Sequence, residues 1–451
     1  MMNRMLRGRP WAFLAAMLLP ASIAAQNATA FVDVTVVPMD RQGTLPGQTV
    51  VVQAGVITQM GSSSKVEIPQ GAARIEGRGK FLMPGLAEMH GHYPPPQRAL
   101  QYTEQILFLY VANGITLVRG MQGDEHHLPL REQIEKGEVL GPRLLVSAPP
   151  MSGRSPTEPE QARQMVRDCK QAGFDHLKVH EGLTPEVYDA IAETAREVGI
   201  PFAGHVSNLV GLYHSLKAGQ QTIDHLDNCV EALVPDREGV RQAGLFNVGD
   251  LIDQVDESKI PEMVRAFRES GAGVVPTMVL WETFLGGAKG SELREKTSEV
   301  RYMPARVVDQ WEQAVDGRPP VDAQAGAKVI QLRRKLLKAL HDGGVPVLLG
   351  TDSPQLFSVP GFSIHREMRV MVESGMTPYQ VLASGTRKVA EFYGATDEYG
   401  SVATGQRADL ILLNANPLED VAHLADRAGV MVKGRWLPES EIQERLKKAL
   451  Q

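Results

Sequence analysis

Short apolar runs recur along the middle of the chain, separated by longer polar stretches. They are LMPGLAEM (82–89), ITLVRGM (115–121), RLLVSA (143–148), HLKVH (176–180), PFAGHV (201–206), QTIDHL (221–226), AGVVPTMVL (272–280) and VPVLLGTD (345–352). Between them, segments such as PEQARQMVRDCKQAG and PEVYDAIAETAREVG are helical in character and close on glycine, as helix C-termini do. Eight strands with helices between them predict an α/β chain folded as a (β/α)8 TIM-type barrel over 81–400. The seventh connection, 281–340, is helical, charged and longer than a crossover needs, which predicts an inserted cap or lid.

The two ends read differently. Between 26 and 80 the chain alternates Val, Ile and Thr with polar residues in FVDVTVV, TVVVQAGVITQM, KVEIP and ARIEG; ADLILLNANP and GVMVKGRW in 401–451 repeat that character before a C-terminal helix. Both ends together predict one small β-sandwich domain. The first 25 residues place three arginines ahead of an apolar stretch from Trp11 to Ala25 and then small residues, the layout of a signal peptide. Cleavage is expected after Ala24 or Ala25, with Ala28-Thr29-Ala30 as a later option. The apolar stretch is short for a membrane span, so the mature protein is expected to be exported, periplasmic or secreted, and free of the membrane after cleavage; an uncleaved anchor is the alternative.

Composition narrows the partners. The 451 residues carry a net charge of −6, with 43% hydrophobic and 22% charged residues, and no basic block interleaved with aromatics. Nucleic acid is therefore not expected, whereas a small-molecule substrate is, and the sequence leaves room for a homo-oligomer. Two cysteines, Cys169 and Cys229, do not make a disulfide framework and read as separate thiols.

In a barrel of this type the functional residues sit at the C-terminal ends of the strands. His90 and His92 end the first run, Lys178 lies near the end of the fourth, His205 ends the fifth, His225 the sixth and Asp352 the eighth. Two histidines at i, i+2 on a strand face the same way and can reach one ion, and imidazole with carboxylate suits zinc. Lys178 is the puzzle. Strand alternation turns it the same way as His176 and His180, and a bare buried ammonium costs several kcal/mol. The plain reading is that this face is wet; the rest of the chain decides between that and something sharper.

The segments FLMPGLAEMHGH, FAGHV, TIDHL and LLGTDSP, with the tail IHREMRVMVESGMTPYQVLASGTRKVAEFYG and GSVATGQRADLILLNANP, resemble the amidohydrolase superfamily, in the branch of imidazolonepropionase-like and prolidase-like enzymes. The resemblance implies two divalent metal ions, with Zn2+ expected and manganese or cobalt also suited. It implies His90, His92 and Asp352 on one ion, His205 and His225 on the other, and Lys178 carboxylated by CO2 so that its carbamate bridges both. It further implies hydrolysis of a C–N bond by a metal-bridging hydroxide, with Asp352 as the proton shuttle. A dipeptide or an N-acyl amino acid with a free carboxylate is the expected substrate; a cyclic amide or lactone, or a metal-retaining binding protein without turnover, are the alternatives.

Further residues are substrate-contact candidates. Arg119 could clamp a substrate carboxylate or brace the rim. His180 points the same way as Lys178, nearer the mouth. Tyr93 could hydrogen-bond a tetrahedral intermediate or simply pack its loop. His365 is expected to support the eighth-strand loop, and His126 and His127 to be exposed loop residues. Ser207 stands where many relatives carry another histidine, so substrate preference cannot be copied from them.

Overall fold

The computed structural model describes residues 28–235, 251–319 and 321–448. The expected signal segment therefore lies outside the described residues. Among the described residues, no helix is long and apolar enough to cross a membrane.

Five N-terminal strands come first: β1 (Thr29–Val36), β2 (Leu45–Gln53), β3 (Val56–Ser62), β4 (Ala73–Glu76) and β5 (Phe81–Pro84). Next come β6 (Leu86–Gly91), β7 (Ile115–Gly120) and β8 (Arg143–Leu145), a parallel three-stranded sheet, and then β9 (Leu177–Val179), β10 (Phe202–Gly204), β11 (Thr222–Asp224) and β12 (Gly273–Val275), a parallel four-stranded sheet. Strands β13 (Leu410–Leu413), β14 (Arg427–Val432) and β15 (Arg435–Pro438) return to the N-terminal strands.

The end strands form one eight-stranded sheet, ordered β15-β14-β13-β5-β1-β2-β3, with β4 also on β1. Both chain ends contribute to it, as the sequence predicts, but the hydrogen bonds describe a single branched sheet rather than two separate ones. Its inward residues, among them Phe31, Val34, Val50, Leu82, Leu410 and Leu412, pack into a core of their own. The run 82–89 is two strands: β5 pairs with β13 in the end sheet, and β6 begins the parallel sheet after Gly85. Glycine is required at that joint, because a Cβ there would lie 2.2 Å from Thr116 Oγ1.

The parallel strands with helices between them fit a TIM-barrel-type fold. The helix Pro185–Val198 shows how the sequence dictates an element. Thr184 caps it by accepting from the Val187 N–H, Pro185 opens it, and Gly199 ends it in the left-handed conformation. Single bridges join the two parallel sheets: Ser147 to His176 and Met151 to Val179. The eighth run, 345–352, is held by bridges rather than a regular ladder. Val347 bridges Val274, Ser353 bridges Gly91, and the Asp352 N–H donates to the His90 carbonyl at 2.8 Å. The run 272–280 also divides. It is strand only to Val275, and after Thr277 at φ 44° the helix Met278–Leu285 begins. The long connection carries the helices Gly290–Lys296, Ala305–Asp316 and Ala323–Asp342. It packs on the eighth-run loop, Tyr302 stacking on Phe362 and Trp311 meeting Phe357 edge-on.

Candidate metal centre and active site

The strand ends converge on a cavity of about 570 Å³ floored by His90, His92, Lys178, His205, His225 and Asp352. All six expected ligands thus meet at one place. The atoms that His90, His225 and Asp352 could offer an ion lie within 4.8 Å of one another, and all three residues are buried. Lys178 Nζ is 3.4 Å from His90 Nε2, which is 3.5 Å from Asp352 Oδ1; His92 Nε2 is 2.5 Å from the same oxygen. The imidazole rings of His205 and His225 lie 4.6 Å apart, tilted by 31° to each other.

The backbone bends to allow this. Strand alternation would set Asp224 and His225 on opposite faces of β11, but His225 takes φ 63° and both side chains reach His90. Asp352 takes φ 60°. Non-glycine residues held there cost about 1–3 kcal/mol each, and such strain concentrates at functional sites. At Gly204 a Cβ would fall 2.5 Å from the Val179 carbonyl oxygen and 2.8 Å from Lys178 Cδ, so the approach of β10 to Lys178 requires glycine before His205.

Carboxylates orient the histidines. Asp224 accepts from His90 Nδ1 at 2.8 Å, which leaves Nε2 as the lone-pair nitrogen. Asp227 does the same for His205 at 2.7 Å, and Thr277 Oγ1 lies 2.8 Å from His225 Nδ1. Asp224 is itself fixed by Thr222 Oγ1 at 2.6 Å and by the Arg119 guanidinium at 3.2 Å. Residue typing of strand ends misses Asp224 and Asp227. Their signal was the sequence DHLD around His225, with an acid on each side of a candidate ligand.

Burial holds the histidines uncharged. It pushes His90 and His225 well below the usual histidine range and His205 down to about 3, with Lys178 the next cause for His90 and His205. Burial also lowers the Lys178 ammonium, against the pull of Asp224 and Asp352. The residues therefore fit divalent ions. The imidazoles of His90, His205 and His225 are held neutral, the amine is displaced toward its neutral form, and the buried His225 Nε2 and His92 Nδ1 have no hydrogen-bond partner.

Three substrate-contact candidates sort differently. His180 lines the cavity at its exposed mouth, its ring 4.1 Å from that of His205. Arg119 does not line it. The guanidinium is fully buried and bound to the Met89 carbonyl, Thr222 and Asp224, so bracing is its role and carboxylate clamping is not. Tyr93 does not line it either, because its ring is buried against Gly120 and His127. His127 is buried, contrary to the expectation of an exposed loop residue, whereas His126 is exposed and paired with Asp124. His365 contacts Asn113 Oδ1 at 3.2 Å, a supporting position, and Ser207 donates to the Leu183 carbonyl. Cys169 and Cys229 are free thiols, the second buried. The cavity wall missed by the sequence reading comes from the helix Met278–Leu285, which contributes Leu280, Trp281 and Phe284.

Residues 81–437 match the sequence model of the amidohydrolase family. The chain belongs to that family. Its members are metal-dependent hydrolases acting on C–N bonds, and this amidohydrolase groups with the prolidase-like ones. A putative prolidase from Bifidobacterium longum superposes with TM-score 0.69 at 25% identity, covering 94% of this chain and 99% of that one. A Xaa-Pro dipeptidase crystallised with methionine in its active site gives 0.67 at 20% identity, covering 91% of this chain and 100% of that one. Bottromycin amidohydrolase gives 0.71 at 21% identity, covering 95% and 93%. A curated relative, adenine deaminase 3 of Rhizobium meliloti (strain 1021), is 21% identical over 420 residues; the match takes in 88% of this chain but 56% of that protein, so the chain spans little more than half of its length.

Proposed function

We propose that the protein hydrolyses the C–N bond of a small amide, a dipeptide or an N-acyl amino acid. The observation that carries this reading is the joint placement of His90, His225 and Asp352 at the floor of one cavity, with Lys178 against them. His90, His92, Lys178, His205, His225 and Asp352 would hold two divalent ions, zinc foremost, and the sheets around them are read as one closed (β/α)8 barrel. Bound there, the ions supply Lewis acidity and acidify water toward neutral pH.

The chain's own residues do the rest. In its neutral form the Lys178 amine can add CO2, forming an N–C bond as one C=O π bond opens and a nitrogen proton passes to solvent, which replaces an awkward buried cation by an anion with two oxygens. Asp352 can take the proton of water on Oδ2, since Oδ1 is engaged by His92, and hand it to the leaving nitrogen. Asp224 and Asp227 hold His90 and His205 in their ligating tautomers. Leu280, Trp281 and Phe284 exclude water from the substrate's flank.

Export by the N-terminal 25 residues belongs to the same proposal; the exported chain should begin between Gln26 and Phe31, and an intact Met1 would contradict it. The deciding assay is amino-acid release from a panel of dipeptides and N-acyl amino acids by zinc- and bicarbonate-loaded protein, with Lys178→Ala as the blank. Release above the blank supports the reading. Ammonia release from aminopurines without amino-acid release would replace it with deamination, the activity named for the curated relative.

A further inference from the structure

Away from the ligand cluster, the described lining of the cavity includes the apolar Leu280, Trp281 and Phe284, with Arg333 stacked on the indole at 4.4 Å and Arg318 on the phenyl at 3.7 Å. Among the other described lining residues outside that cluster Glu181 is the sole formal charge. The Asn208 N–H donates to Glu181 Oε2 at 3.2 Å, which fixes the carboxylate at the cavity wall. No described lysine or arginine other than Lys178 lines the cavity, and Arg119 is bound to Asp224. The described wall therefore offers no side-chain cation for a substrate carboxylate and one acceptor for a cation.

We propose that Glu181 receives a protonated amine, so that the site takes unblocked aminoacyl amides with a large apolar first side chain and discriminates against N-acyl compounds. The proposal rests on the hydrolase reading above and decides between its two substrate types. Trp281 and Phe284 take the apolar side chain, and Glu181 takes the ammonium. Burial and the neighbouring Asp227 carboxyl raise the Glu181 carboxyl to about 7, and an arriving ammonium favours its ionised form.

The test compares Phe-Ala with 3-phenylpropionyl-Ala, which differs only in lacking the amine, using metal-loaded protein. The wild type should favour Phe-Ala in kcat/KM by at least about tenfold, and Glu181→Gln should collapse that ratio toward one. Equal use of both compounds by the wild type overturns the proposal without needing a variant, as does a ratio retained in Glu181→Gln. A second arm measures calorimetric binding of 2-phenylethylamine against 2-phenylethanol, neither of which has an amide to cleave. Tighter amine binding that weakens in Glu181→Gln, with no amide hydrolysed at all, would keep the amine site and discard the hydrolase reading. Hydrolysis without amine preference would do the reverse.

Discussion

Asp224→Asn removes one charge and adds an N–H donor at the most heavily bonded carboxylate of the site. In the native protein Asp224 accepts from His90 Nδ1, from Arg119 and from Thr222 Oγ1. An amide cannot accept at both ends, so its NH2 must take either the Oδ1 place, facing Thr222, or the Oδ2 place, facing His90, and Arg119 lies 3.2 Å from both. Either way the buried guanidinium is left without its counter-charge, a loss of about 3–5 kcal/mol. Facing His90 Nδ1, it forces the ring proton onto Nε2 and blocks the nitrogen that faces Lys178 and Asp352. Loss of a group that orients a ligand weakens metal binding by about 10- to 100-fold. The assay is zinc competition against a calibrated chelator, with thermal melts of the metal-free protein alongside. A lower melting temperature is expected in either orientation, and weaker zinc with it where the NH2 faces His90. Zinc affinity unchanged within a factor of about two, together with an unchanged melting temperature, would refute the claim that Asp224 anchors His90 and Arg119.

Other expectations follow from the same geometry. Lys178→Ala should lose metal and activity together, by more than about 100-fold, with partial rescue by a short carboxylate; full activity would remove the lysine from the centre. Asp352→Asn should retain much of its metal yet lose turnover by about 100- to 10,000-fold, and retained turnover would exclude it as proton shuttle. His127 is buried against Tyr93 with its pKa lowered to about 4, mainly by burial. Below pH 6.5 the unfolded chain binds this proton and the folded one does not, so stability falls as pH drops from 6.5 toward 4 and the loss then levels off. His127→Phe keeps the ring packing and should make the slope of unfolding free energy in that window shallower by about 1.4 kcal/mol per pH unit; an unchanged slope would contradict the buried neutral histidine.

Much of this was legible because the ligands sit where apolar runs end. His90, His92, Lys178, His205, His225 and Asp352 each close or nearly close a run, and strand ends are readable from pattern. Depth was not. Arg119 and His127 look like rim and loop residues in sequence, yet the partners that bury them, Asp224 and Tyr93, are distant in sequence. Local conformation also escaped the pattern. The alternation rule separates Asp224 from His225, and only the left-handed turn at His225 brings them to one imidazole. The helix Met278–Leu285 was hidden because its apolar residues continue the run of β12 without a break, so periodicity could not divide strand from helix. The sheet at the chain ends was foreseen as a joint structure, but its pairing order depends on hydrogen bonds that composition does not encode.

That sheet has a bearing on how the protein is made. Strand β5 leads directly into β6 and the first two histidines, and its outer edge is covered by β13, with Leu82 opposite Leu412, about 330 residues apart. While a ribosome is still extending the chain, β13 has not emerged, and β5 carries an unpaired edge beside a centre that is otherwise ready to assemble. Closing so long a loop is slow, and an open edge recruits other strands. The nascent protein should therefore depend on being kept from folding or aggregating until its last 40 or so residues are available. Truncations that spare every metal ligand but remove β13 and β14 should yield insoluble chains, even though the catalytic residues are all present.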